Sequence, residues 1–269
     1  MNQSLIDEAL ERHIRPAGAG WAWIRDAWRM FTRQVVTWLV LVVLLFLVVL
    51  GIGLIPLGDL LTSLLSPVLM GGLMLGAHRQ AGGGRVDLGH LFAGFRRQLG
   101  PLVLLGLLQL LATIIGLTVL AVVALLTVGL QAFESPELFS DVTLGSWILL
   151  AVVSAVFTAG MVMAFWLATP LVAIAGCKPW ESVERSFEAA LRNWRALLVY
   201  GAVVLGLLVV ATIPLGLGLI VLLPVLMISN YTACADIFAF ATNPATDGDA
   251  DPEAAAAVME ERPDEPDHR

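Results

Sequence analysis

Apolar and polar positions fall in long blocks along this chain. Five stretches contain no Asp, Glu, Lys or Arg: 34–58, 60–78, 98–133, 142–177 and 196–235. A helix crossing the hydrocarbon of a bilayer needs about 20 apolar residues at ~1.5 Å each. The first two stretches each hold one such span. The third and fourth are longer but have no central turn signal, so each predicts one long or tilted span. The fifth carries Ile213-Pro214-Leu215-Gly216-Leu217-Gly218 at its middle, a Pro/Gly cluster that reads as a hairpin between two spans. The pattern predicts an all-α bundle of six spans, at 35–57, 60–78, 101–128, 147–175, 196–213 and 218–240. Residues 1–34 form an N-terminal segment with an interfacial helix, 35–240 the membrane domain, and 241–269 a tail.

Between the blocks the period changes to that of an amphipathic helix. Trp21, Ile24, Trp28, Phe31 and Val35 recur at helical spacing, and Trp180, Val183, Phe187, Ala190 and Trp194 repeat it. Leu88, Leu91, Phe92 and Phe95 form a shorter version. Arginines flank each stripe, as expected of helices lying in the membrane interface. Aligning those arginines exposes a weak threefold repeat. An aromatic residue (Trp28, Phe92 or Phe187) stands five positions before Arg33-Gln34, Arg97-Gln98 and Arg192-Asn193. The later span of each unit carries a proline: Pro67, Pro170 or Pro224. Units one and three share Ile-Pro-Leu-Gly, at 55–58 and 213–216. Each unit reads as a short helix followed by a two-span hairpin, so the repeats are parallel. The prolines read as static kinks or as hinges.

Small residues allow helices in lipid to approach closely. The fourth span has two such ridges, Ala151-Ala155-Ala159 and Gly160-Ala164-Ala168, which predict a central position. The second span has Gly72 and Gly76.

Composition agrees with a membrane protein. The chain is 58% apolar and 14% charged, with mean hydropathy +0.87. Soluble domains average about 45–50% and 25%. No single water-soluble core accommodates that excess. The net charge of −7 resides in the tail: residues beyond 240 hold nine acids and two arginines, and the remainder is balanced. That tail, with Pro244, Pro252, Pro263 and Pro266, is expected to be disordered. No cleavable signal peptide is expected, since the first apolar run starts at Val35 after five arginines.

Charge also predicts threading. With six spans every Lys and Arg falls on one side, while loop 131–146 carries Glu134, Glu137 and Asp141 and no basic residue. The positive-inside rule makes the basic side cytoplasmic, with both termini there.

Chemistry is sparse. The sequence has no HExxH, GxSxG or GxxxxGK[ST] motif, and no histidine pair has metal-ligand spacing. Gly82-Gly83-Gly84-Arg85 follows a span and reads as a linker. Cys177 and Cys234 read as apolar-site thiols. No enzyme activity, cofactor or metal is expected, and nucleic-acid binding has no support. Charged groups stay near span ends, with Asp59 at the outer hairpin and His78 and Asp236 near inner boundaries. The candidate interfacial lipid-contacting residues are Arg33, Arg97 and Arg192, which either anchor the hairpins or recognise anionic lipid. The candidate intramembrane polar residues are Asn230 and Gln109. Each either lines a polar path or makes an interhelical hydrogen bond.

The aromatic-x4-Arg-[Gln/Asn] motif, the Ile-Pro-Leu-Gly hairpin and the Pro-Val-Leu-Met runs at 67–70 and 224–227 resemble a family of bacterial polytopic inner-membrane proteins of unassigned activity. More distantly, they resemble the membrane domain attached to some glycerophosphodiester phosphodiesterases. The resemblance covers roughly residues 20–240. It implies a bacterial inner membrane and six spans, and it carries over no catalytic residue. The expected function is that of a non-catalytic organiser or accessory protein of the membrane, binding lipid or a membrane protein partner. The alternative is a passive transporter or channel for a small or lipid-like solute.

Overall fold

The computed structural model describes residues 14–128 and 144–240. The expected disorder of the tail and most of the acidic loop after the third span lie outside the described residues. In chain order the helices are α1 (Ala19–Arg33), α2 (Val35–Gly53), α3 (Gly58–Ala81), a 3-10 turn (Leu88–Phe92) leading into α4 (Ala93–Arg97), α5 (Leu99–Val128), α6 (Leu144–Phe165), α7 (Ala168–Ala173), α8 (Pro179–Arg192), α9 (Trp194–Thr212) and α10 (Leu217–Phe238). No strand occurs among the described residues. Six runs are long and apolar enough to cross a membrane: α2, α3, α5, α6 with α7, α9 and α10. The architecture is that of a multi-pass helical membrane protein.

Two hairpin tips repeat one backbone device. Leu57 and Leu215, each inside Ile-Pro-Leu-Gly, hold left-handed conformations with φ of 64° and 54°. Proline fixes the turn before them and glycine follows, so α2–α3 and α9–α10 reverse direction within a few residues.

The core lies where α3, α7 and α10 meet, with α1 laid against α10 and α9. Trp38, Leu41, Leu73, Val225 and Ile228 are buried there. At the arginine-bearing end, each short helix turns into a span at an amide residue. Gln34, Gln98 and Asn193 leave helical geometry, with φ of −144°, −141° and −107°. Their side chains then reach the next lead-in segment. Gln34 Oε1 accepts from Val86 N at 2.9 Å, and Asn193 Oδ1 accepts from Arg15 N at 2.7 Å. Gln98 Nε2 lies beside Gly176, 3.8 Å from where a Cβ would stand.

The fourth span is not central. No residue of α6 is buried, and Ala151, Ala155 and Ala159 are exposed. A Cβ at Gly160 would meet nothing within 4 Å. The physical reason is the break before α7: only the short second piece enters the core, burying Ala168, Leu171, Val172 and Ala173. The close approach expected of the second span does exist at Gly72, where a Cβ would collide with the carbonyl oxygens of His90 and Leu91, the latter at 2.7 Å. The partner there is the 3-10 turn.

The amphipathic stripes also divide differently from expectation. In α1, Ile24 and Phe31 are buried, while Trp21 and Trp28 are 53% and 50% exposed. The buried face is completed by Trp23, Ala27 and Met30, which the aromatic spacing did not include. In α8, Trp180 and Phe187 face outward and Ser182, Arg185 and Ser186 are buried. Both helices therefore press one face on the bundle: α1 keeps Trp23 and Phe31 inside and Trp21 and Trp28 outside, and α8 leaves Trp180 and Phe187 outside.

Candidate functional site

Proline 170 has no N–H to donate to the carbonyl four residues back, so Trp166 O is left without its helical partner. Asn230 of α10 supplies the missing donor, Nδ2 to Trp166 O at 2.9 Å. One residue on, Ser186 of α8 enters the helical ladder. Its hydroxyl donates to Met163 O at 2.8 Å and accepts from Leu167 N at 3.0 Å. Met163 and Leu167 are the pair that would bond directly in an unbroken helix. Two side chains from two other helices thus hold the fourth span open. Pro67 in α3 is treated alike, since the freed Ser63 carbonyl accepts from Ser66 Oγ at 3.3 Å.

Between these two proline sites lies a cavity of about 330 Å³. Asn230 and Gln109 both line it, together with Ser66 and Thr169, so the fold gathers the two intramembrane polar candidates at one place. Gln109 stands ten residues into α5 and Asn230 eight residues before the end of α10. At ~1.5 Å per residue both lie about 12–15 Å from the arginine-bearing end, near mid-depth of a ~30 Å slab. The remaining wall is apolar and pliable, with Met70, Met74, Met161 and Phe165. Among the described residues no ionisable group lines it. Asn230 Oδ1 is buried, with no hydrogen-bond partner among the described residues.

A second pocket, of about 270 Å³, lies at the arginine-bearing end between α3 and α4. Arg97 lines it with Arg79 and Arg96, and Asp87 and His90 complete the polar wall. Asp87 Oδ1 is 3.0 Å from His90 Nδ1. Three guanidinium groups and one carboxylate line the pocket. The other two arginine candidates are elsewhere. Arg33 is exposed at the end of α1, and Arg192 pairs with Glu188 at 2.6 Å. The structure does not gather Arg33, Arg97 and Arg192 into one site.

Several interactions escaped sequence reasoning. Asp236 pairs with Arg15 at 3.0 Å and accepts from Trp23 Nε1 at 2.9 Å. Gln80 is buried, accepting from Trp38 Nε1 at 3.0 Å and donating to Met30 O at 2.8 Å. The signal for the Asn230 contact was present in Pro170, which announces an orphaned carbonyl at Trp166, though the identity of the donor depends on tertiary contacts; the Ser186 bridge between Met163 and Leu167 has no such local signal. Burial pushes the Cys177 thiol above its ordinary value, against the opposing pull of the Arg185 guanidinium 3.4 Å away. Among the described residues no group of three or more His, Cys, Asp or Glu is placed to hold a metal ion.

No protein-family model, curated protein or solved structure matches this chain.

Proposed function

We propose that this is a non-catalytic protein of the bacterial inner membrane that organises lipid through a basic cytoplasmic collar. The observation that carries the reading is the convergence of Arg79, Arg96 and Arg97 on one pocket at the span ends. Guanidinium forks suit phosphate oxygens, and each basic residue near the surface contributes about 1 kcal/mol toward anionic lipid. The exposed Trp21, Trp28, Trp180 and Trp194 support the reading, because such rings settle at the headgroup level.

The collar is built from three parallel repeats closed into a ring. Three corner amides support this: Gln34 lies against the second unit, Gln98 against the third, and Asn193 against the first. Helix packing follows the same cyclic order, with α4 on α3, α8 on α6 and α1 on α10. All charged groups except Asp59 belong to that end among the described residues, which supports a cytoplasmic collar under the positive-inside rule.

The test is lipid retention by the purified protein. Replacing Arg79, Arg96 and Arg97 with alanine should reduce retained anionic lipid by at least tenfold and leave zwitterionic lipid unchanged. Replacing Arg33 and Arg192 should have the smaller effect. Unchanged anionic retention in the triple variant removes the proposal. A second reading, passive passage of a small or lipid-like solute, is favoured by the mid-depth cavity that joins Gln109 to Asn230.

A further inference from the structure

We infer that the apolar groove bounded by α1, α9 and α10 holds an acyl chain of a phospholipid from the leaflet on the arginine-bearing side, with the phosphate set against Arg25. This site stands apart from the arginine pocket between α3 and α4 and rests only on the membrane-spanning architecture.

The groove has a volume of about 460 Å³. Trp21, Ile24, Arg25 and Trp28 of α1 form one edge, and the walls run along α9 from Leu207 to Pro214 and along α10 from Val225 back to Gly218. Seven residues on each of these helices give ~10 Å at ~1.5 Å each, directed from α1 toward the far hairpin. α1 itself belongs to the arginine-bearing end, where Trp23 Nε1 donates to Asp236 Oδ2. The groove has a floor. Ile24, Ala211, Leu222 and Val225 are buried. A Cβ at Gly218 would stand 2.6 Å from Ala211 Cα, so α9 and α10 touch behind it. Its outer side is open, with Trp21, Trp28 and Val210 exposed. Both α9 and α10 are long and apolar enough to cross a membrane, so the medium against that open side is lipid.

Charge is confined to the α1 edge. Among the described residues Arg25 is the only charged side chain of the lining, and the rest are Trp, Pro, Gly, Ala and aliphatic. Arg25 and Arg29 share one carboxylate, Asp26, at 3.2 and 3.4 Å, and all three side chains reach the surface. A headgroup phosphate there adds the second anion that two guanidinium groups can hold. An apolar slot with a cationic edge, flanked by exposed tryptophans, fits an amphiphile with an oily chain and an anionic head. A partner helix laid in the slot would have to strip water from Arg25 and Asp26, whereas a phospholipid brings its phosphate to them.

The probe is a phosphatidylglycerol carrying a diazirine midway along one acyl chain. It is titrated against the full-length protein in detergent and photolysed, and adducts are located by peptide mass spectrometry. Adducts on residues 207–225 should saturate at one lipid per chain. Dioleoyl phosphatidylglycerol should compete, and dioleoylglycerol, with the same chains and no phosphate, should compete about fivefold more weakly. Glycerol 3-phosphate should not compete. Val221→Trp, which fills the slot from its wall, should reduce these adducts by at least tenfold, and Arg25→Gln should weaken apparent affinity about fivefold. Replacing Arg79, Arg96 and Arg97 should change these adducts less than twofold, whatever it does at the arginine pocket. Adducts that rise without saturating, or that spread evenly over the spans, overturn the inference on the wild-type protein alone. Equal competition by dioleoylglycerol overturns the phosphate contact, and competition by glycerol 3-phosphate overturns the role of the chain. Oleate competing as well as the phospholipid, or a crosslinked second copy of the protein in place of lipid, overturns the occupant. Unaltered labelling in a folded Val221→Trp protein overturns the location.

Discussion

At the scale of single residues, the informative groups are those that replace a missing backbone partner. Asn230 serves Trp166 O only because residue 170 is proline. Asn230→Leu should therefore destabilise the protein by about 1–2 kcal/mol in the wild-type background. With Pro170→Ala present the carbonyl regains an N–H, and the same substitution should cost close to nothing. A double-mutant cycle by thermal unfolding in detergent measures this coupling, and additive effects would contradict it. Cys177 offers a second check. Its raised pKa means that the folded thiol stays neutral while the unfolded one ionises above about 8.5. The unfolded state then binds fewer protons, so stability should fall as pH rises past that point toward the folded value. Cys177→Ser lacks that thiol, so its stability should decline less over the same pH range.

At the scale of elements, what a helix faces decides the effect of a small residue. Gly72 backs directly onto the 3-10 turn and Gly160 onto open space. Gly72→Ala should cost about 1–3 kcal/mol through overpacking, whereas Gly160→Ala should be neutral or gain up to about 1 kcal/mol from helix propensity. Unfolding midpoints of the two variants should move in opposite directions or differ strongly in size. The same contrast explains what was legible beforehand. Span limits followed from charge-free length, a property of the chain alone, and the Ile-Pro-Leu-Gly turns followed from local backbone preference at Leu57 and Leu215. The central place assigned to the fourth span rested on its alanine ridges, and these were overruled by the opening at Leu167, which Ser186 maintains from another helix. A ridge of small residues permits close approach without saying that a partner arrives. Likewise Gln109 and Asn230 were visible as intramembrane polar residues, but their meeting at one cavity depends on how α5, α6 and α10 surround the break.

At the scale of the whole molecule, charge and packing are concentrated at one end. The short helices, the corner amides and the Arg15–Asp236 pair join there, while the far end is held by turns and apolar contacts. α3 and α10 each bury about half of their most apolar stretch, against almost none for α5 and α6. α5 is held to α3 near its start, through Leu102 and Leu105, and α6 to α8 near its end; farther out the two helices meet each other, where the Phe157 ring covers Gly116. Phe157→Ala should accordingly loosen α5 from α6 and accelerate proteolysis of the segment between them while α3 and α10 remain protected, a difference that limited proteolysis resolves. The collar must also sit on the cytoplasmic face if its arginines are to meet the anionic lipid of that leaflet. Single cysteines placed at Asp59 and at Arg97, each in a background with Cys177 and Cys234 replaced, separate the two orientations. An impermeant maleimide added to spheroplasts should label the first and reach the second only after lysis. Labelling of the Arg97 position in sealed spheroplasts would place the guanidinium cluster on the wrong leaflet and remove the physical basis for lipid recognition, while leaving the neutral mid-depth cavity where it is.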